Sequence, residues 1–198
     1  MKDGEYSGLL DSIEFKNSTA SVPVGGYAQL QLIKSPQPVP DNNSIDWIST
    51  DTNILSVDDN GVVMAKRPGT AYVIAIERDN NIVITCRVTV KITNAWKIKK
   101  VKASKTSVKA KVVKKRKVKL SWKYVNYASG YYIYQASKAK GKYKKVATVK
   151  NRWSTSWTKK FKKSKKSKKY YFKVRAYIKV GKKVYRGKLS KAVKVKVK

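Results

Sequence analysis

Histidine is absent from the 198 residues, and cysteine occurs once, as Cys86. Without histidine the chain lacks the commonest metal ligand and the usual general base near neutral pH. A single cysteine excludes an intrachain disulfide and any Cys-rich zinc site. No run of about 18 apolar residues is present, so no stretch reads as a membrane-spanning helix. Residues 1–8 are short, polar and acidic with no apolar centre, unlike a secretion signal. The expectation is a cytoplasmic chain, or a piece of a larger exported one whose signal lies upstream or has been removed. Neither common glycine-rich phosphate loop occurs, and no serine or cysteine has a histidine to activate it. The sequence therefore reads as a non-enzyme, with no cofactor and no metal.

Acid is the next scarcity, and it is unevenly placed. All 11 Asp and Glu lie in residues 1–95, with eight cations, for a net charge of −3. Residues 96–198 hold the other 39 cations and no acid at all. Surfaces so different predict two domains, 1–94 and 95–198, joined near residues 93–97. The hydrophobic fraction of 41% is high enough for cored domains rather than a disordered polycation.

What is present reads as short strands. Residues 27–33 (YAQLQLI), 71–76 (AYVIAI) and 82–90 (IVITCRVTV) are apolar, alternating or β-branched, and glycine-, proline- and Asx-rich turns separate them. One such turn is expected at residues 36–43. Asn60-Gly61 between Val57 and Val62 predicts a two-residue type I′ hairpin turn. In the second half the strands are 118–122, 131–134, 144–149, 170–177 and 192–198; in the last, valine and lysine alternate strictly. The fold class predicted is all-β, two tandem β-sandwiches with no helix-period stretch.

The motifs VPVGG at 22–26, Leu30, IDWISTD at 45–51, VDDNGVV at 57–63, Ala65 and PGTA at 68–71 fall in an order that resembles the bacterial immunoglobulin-like domain, group 2, over about residues 9–92. LSW at 120–122, GYYIY at 130–134, YKKVA at 143–147 and YYFKVRAY at 170–177 make the remainder similar to a fibronectin type III domain, in the lysine-rich form of Gram-positive gut bacteria. This resemblance implies that Trp122 is the core tryptophan. It also implies that Tyr170, on one face with Phe172, Val174 and Ala176, is the corner tyrosine bonded to upstream backbone. Residues 162–169 depart from the pattern, being longer and more basic than the usual turn. No Arg-Gly-Asp sequence is present. Together the resemblances imply a non-catalytic, extracellular or cell-surface module pair, monomeric, acting in adhesion or as a spacer.

Few residues read as a site. Asp51 and Asp58 to Asn60 suit turns in which side chains bond nearby backbone, and Asp58 with Asp59 is a weak alternative calcium site. Cys86, in an apolar strand, reads as a buried inert thiol. The basic half is the largest signal. Its polyanion-binding candidates are Lys114, Lys115, Arg116 and Lys117, with Lys162, Lys163, Lys165, Lys166, Lys168 and Lys169. Of its 39 cations 35 are lysine, which makes point-charge contacts rather than the planar forks of sequence-reading proteins. The expected partner is an anionic polymer, cell-wall teichoic acid or acidic glycan; nucleic acid would be held only nonspecifically. Equally, the lysines suit a solvated coat that discourages edge pairing. Trp153 and Trp157, four apart, are expected on one strand face, either stacking on sugars or bases, or packed in the core or under lysine. Accessory modules of a secreted carbohydrate-active or wall-degrading enzyme, or a phage structural or nucleic-acid-binding protein, are the alternatives.

Overall fold

A computed structural model describes residues 12–35, 45–114 and 116–198. The turn expected at residues 36–43, residues 1–8 and Lys115 lie outside the described residues. The chain divides into two compact units, Met1–Thr93 and Asn94–Lys198.

The first unit is all strand: β1 Ser12–Phe15, β2 Thr19–Pro23, β3 Tyr27–Gln29, β4 Leu32–Ser35, β5 Ile45–Ser49, β6 Leu55–Val57, β7 Val62–Ala65, β8 Gly69–Glu77 and β9 Ile82–Lys91. One sheet has the order β2-β9-β8-β5, with β2 parallel to β9; a second is β3-β7-β6, and β1 pairs with β4. Alternation decides the inner face. In β8, Ala71, Val73 and Ala75 are buried while Tyr72 points out, and Val22, Leu55, Val63 and Val88 complete the core. The stretch 27–33 is not one strand. It breaks at Leu30 and Gln31, whose backbone bonds go to Gly61 and Lys16, so its two ends serve different sheets.

The Asp58–Gly61 hairpin also differs from expectation. The Gly61 amide donates to the Asp58 carbonyl at 3.0 Å and the Asp58 amide to Val62 at 3.1 Å. Gly61 is left-handed (φ 75°), whereas Asn60 is not. This is a type I turn followed by a glycine bulge, not a type I′ turn. Glycine is needed twice over here, because a Cβ would lie 2.6 Å from the Trp47 ring.

The second unit opens with a helix, α1 Asn94–Ala103, followed by β10 Val108–Lys114, β11 Lys117–Trp122, β12 Gly130–Ala136, β13 Lys144–Val149, β14 Ser156–Lys160, β15 Lys168–Val180, β16 Lys183–Arg186 and β17 Val193–Val197. Helix α1 is an element that the strand patterns did not anticipate. Its lysines hid a three-residue spacing of Ile98 and Val101, which pack on the sandwich core. Lys100 and Lys102 sit in its last turn, where cations complement the helix dipole.

One sheet is β10-β11-β14. The other is β13-β12-β15-β16, with β17 on the first half of β15. Val118, Leu120, Tyr131, Ile133, Phe172, Val174, Val195 and Val197 fill the space between them. Trp122 is the core tryptophan as expected, its ring centroid 5.2 Å from Tyr131. The corner role falls elsewhere. The Val125 amide donates to the Tyr131 hydroxyl at 3.0 Å, while Tyr170 packs its ring on Phe161 at 4.4 Å. The all-β sandwich class is borne out for both units.

Candidate polyanion-binding surfaces of the second unit

The β10–β11 turn carries Lys114, Arg116 and Lys117. Arg116 is left-handed (φ 64°), and its carbonyl accepts the Phe161 amide at 2.8 Å. That bond ties the start of the lysine-rich segment to this turn, and Phe161 anchors it by burying its ring. Arg116, Lys163, Ser164 and Lys198 consequently line one open cavity of about 420 Å³. The Arg116 Nε is itself buried without a hydrogen-bond partner. Lys162, Lys165, Lys166, Lys168 and Lys169 are exposed and do not line it. Among the described residues, Arg116 and Lys163 are the members of the two basic clusters that share this cavity.

The two tryptophans do not share a face. Trp153 lies in the turn before β14, 67% exposed, stacked on Tyr124 at 5.1 Å and 6° with the Arg152 guanidinium 4.6 Å from its ring. Trp157, on β14, packs into the core with its ring edge-on to Phe172. A turn at Asn151–Ser154 breaks the strand periodicity on which the shared face depended.

Sequence reading missed a third surface, the outer face of the β13-β12-β15-β16 sheet. In β12, Tyr131 and Ile133 point inward, so Tyr132 and Tyr134 point out; in β15 the outward set is Lys173, Arg175 and Tyr177. Antiparallel register places Tyr132 opposite Arg175, and Tyr134 opposite Lys173 on one side and Lys145 on the other. Tyr177 lies over Gly130, where a Cβ would be 2.9 Å from its hydroxyl. Tyr132 stacks on Tyr177 at 4.4 Å and 15°. Lys145 Nζ rests 4.8 Å and the Arg186 guanidinium 5.9 Å from the Tyr132 ring. Arg175 donates from Nε (3.0 Å) and Nη2 (2.7 Å) to the Tyr134 hydroxyl, and Lys173 lies 4.4 Å over Tyr143. Burial, and then Tyr132, pushes the Tyr177 phenol above its ordinary pKa; burial does the same for Tyr143, with Tyr171 adding to it. The clue in the sequence was the alternation Y-x-Y in β12 against K-x-R-x-Y in β15, legible only once the two strands are paired.

Four acids of the first unit, Asp46, Asp51, Asp58 and Glu77, are engaged locally. Asp58 Oδ1 accepts the Asn60 and Val62 amides, and Asp51 Oδ1 accepts Asn53. Asp46 pairs with Arg78, whose hydrogen bond holds the carboxyl below its usual pKa. Glu77, fully buried, accepts the Asp79 and Asn80 amides and so closes the β8–β9 turn. Among the described residues no three His, Cys, Asp or Glu side chains cluster to hold a metal. Cys86 is buried, and burial raises its thiol pKa.

The order of strands and turns in the first unit corresponds to a known domain. Residues 10–88 match the Bacterial Ig-like domain (group 2). Group 2 domains occur in extracellular bacterial proteins and are typically non-catalytic. The match lies within the first unit. Among solved structures the chain is similar to a Fn3-like protein from Clostridium thermocellum (18% identity, 45% of this chain and 90% of that one, TM-score 0.35). It is also similar to domains 5-6 of the S-layer protein SbsC (16% identity, 96% and 97%, TM-score 0.35) and to the intimin of EHEC O157:H7 in a mutant form (14% identity, 52% of each chain, TM-score 0.33). No curated protein matches the chain. Among the described residues no helix is long and apolar enough to cross a membrane.

Proposed function

We propose that the chain is a non-catalytic adhesion or spacer module pair of an exported bacterial surface protein, acting as a monomer, whose second unit contacts an anionic cell-wall polymer or acidic glycan. The observation that carries this reading is the open basic cavity that Arg116, Lys163, Ser164 and Lys198 line together. Residues 96–198 contain no Asp or Glu side chain to neutralise these cations. The surrounding lysines add attraction that is long-ranged and salt-sensitive.

The test is binding of the full chain to teichoic acid, heparin, mucin and duplex DNA across roughly 50 to 500 mM salt. The expected result is one polymer retained near physiological salt while the others release, with retention weakened by Arg116→Ala. Four parallel release curves, unchanged by that substitution, would reduce the second unit to a solvated spacer.

A further inference from the structure

We propose that the outer face of the β13-β12-β15-β16 sheet is a docking surface for a uronate polysaccharide, read through Arg175. The inference rests on the polyanion reading of the second unit but uses a different surface from the Arg116 cavity.

Cations are abundant in this unit, and many project from turns and loops, where a ligand must immobilise each flexible side chain as it binds. On this face they are already held. Lys145 and Arg186 rest against Tyr132, which is itself propped on Tyr177; Arg175 is fastened to Tyr134 by two hydrogen bonds; Lys173 lies over Tyr143. Cation–π contact positions a cation without neutralising it, which a carboxylate partner would do. The result is a set of fixed, uncompensated positive charges on a regular sheet, and charge complementarity requires an anionic occupant from outside the unit.

The face also favours one kind of anion. Arg175 spends Nε and Nη2 on Tyr134, which leaves Nη1 and the remaining protons to a planar two-oxygen group such as a carboxylate. Thr148, exposed and paired across from Tyr132, places a hydroxyl beside the cations, as do the half-buried Tyr132 and Tyr134. A uronate carries ring hydroxyls next to each carboxylate and matches both features. The Tyr132 ring is already flanked by Tyr177 and Lys145, so it has no free face for the base stacking on which single-stranded nucleic acid binding depends. A glycerol phosphate polymer brings charge but few hydroxyls for each charge.

The experiment measures binding of the full chain to polygalacturonate, methyl-esterified pectin, glycerol teichoic acid and duplex DNA at near-physiological salt. The chain is compared with Arg175→Lys, which keeps the charge and loses the fork, with Tyr134→Phe, which removes the hydroxyl that fastens Arg175, and with a loop variant carrying Lys162→Ala, Lys163→Ala, Lys165→Ala and Lys166→Ala. Unchanged circular dichroism and melting of each variant establish that it folds; should Arg175→Lys fail to fold, Tyr134→Phe carries the test. Expected are preference for polygalacturonate over all three other polymers, a loss of about tenfold with Arg175→Lys, a smaller loss with Tyr134→Phe, and a flatter salt dependence but retained preference in the loop variant. Equal binding of teichoic acid or DNA, or polygalacturonate binding unchanged by both face variants, overturns this inference. If the loop variant alone abolishes binding, the broader polyanion reading stands without this face. If no polymer binds, both fail.

Discussion

The two units solve the same packing problem with opposite electrostatics. In the first, acids are spent at short range: Asp58 and Glu77 close turns by accepting backbone amides, and Asp46 pairs with Arg78 at the surface. In the second there is no acid to spend, and the corresponding work falls to aromatic rings and backbone. Arg175 finds a tyrosine hydroxyl, Lys145 a tyrosine face, and the Arg116 Nε nothing. A sandwich core therefore does not depend on paired surface charge. Removing the acids leaves the fold standing and converts the surface into one that looks outside itself for counter-ions.

The sharpest way to break the comparison is through the cores, which are alike. Val63→Ala in the first unit and Leu120→Ala in the second each empty a fully buried site. The expected losses are about 1–3 and about 2–5 kcal/mol, read by denaturant unfolding with residue-resolved hydrogen exchange to assign each loss to its unit. Next in size are the two glycines beneath rings. Gly61→Ala meets Trp47 in a left-handed turn, and Gly130→Ala drives a methyl into the Val149 carbonyl and Tyr177, so each should cost about 1–3 kcal/mol in thermal unfolding. Gly130→Ala should also weaken polyanion binding through the displaced tyrosine stack, whereas Gly61→Ala should not.

Titration separates the units more gently. Tyr131 and Tyr177 have phenol pKa values raised in the folded state, first by burial. Their contribution is complete below the unfolded tyrosine value of about 10 and is lost as pH rises through the folded values, so the second unit should soften in alkali. Asp46 has the opposite sign. Arg78 lowers its pKa, so its contribution is present above the unfolded value of about 4 and is lost as pH falls through the folded one. The smallest effect of all is expected from Asp46→Asn. The pair is solvent-exposed, and its removal should leave melting at neutral pH within error.

The pattern of successes and corrections has a physical cause. Strands such as β8, β9 and β17 were legible because alternation and β-branching are local properties, and so were the turn roles of Asp51 and Asp58. Helix α1 was hidden because its apolar contacts are few and lysines fill the rest of its surface. The Asp58–Gly61 turn was misread by one residue because Gly61, but not Asn60, needs positive φ. Trp153 and Trp157 were separated by a turn that no spacing rule reveals, and Tyr131 took the backbone bond expected of Tyr170 because only the folded chain brings Val125 to it. The Arg116 cavity and the tyrosine face both join segments more than forty residues apart in the chain.

By itself, then, the sequence determined what is local or additive: two kinds of surface, divided near residue 95, strand-forming stretches with defined inner and outer residues, and a second half without any acidic side chain. Tertiary structure alone decided which outward residues became neighbours. That choice depends on strand register and on the close approaches allowed by glycine at Gly61 and Gly130, and neither is written in the composition or periodicity of any single segment.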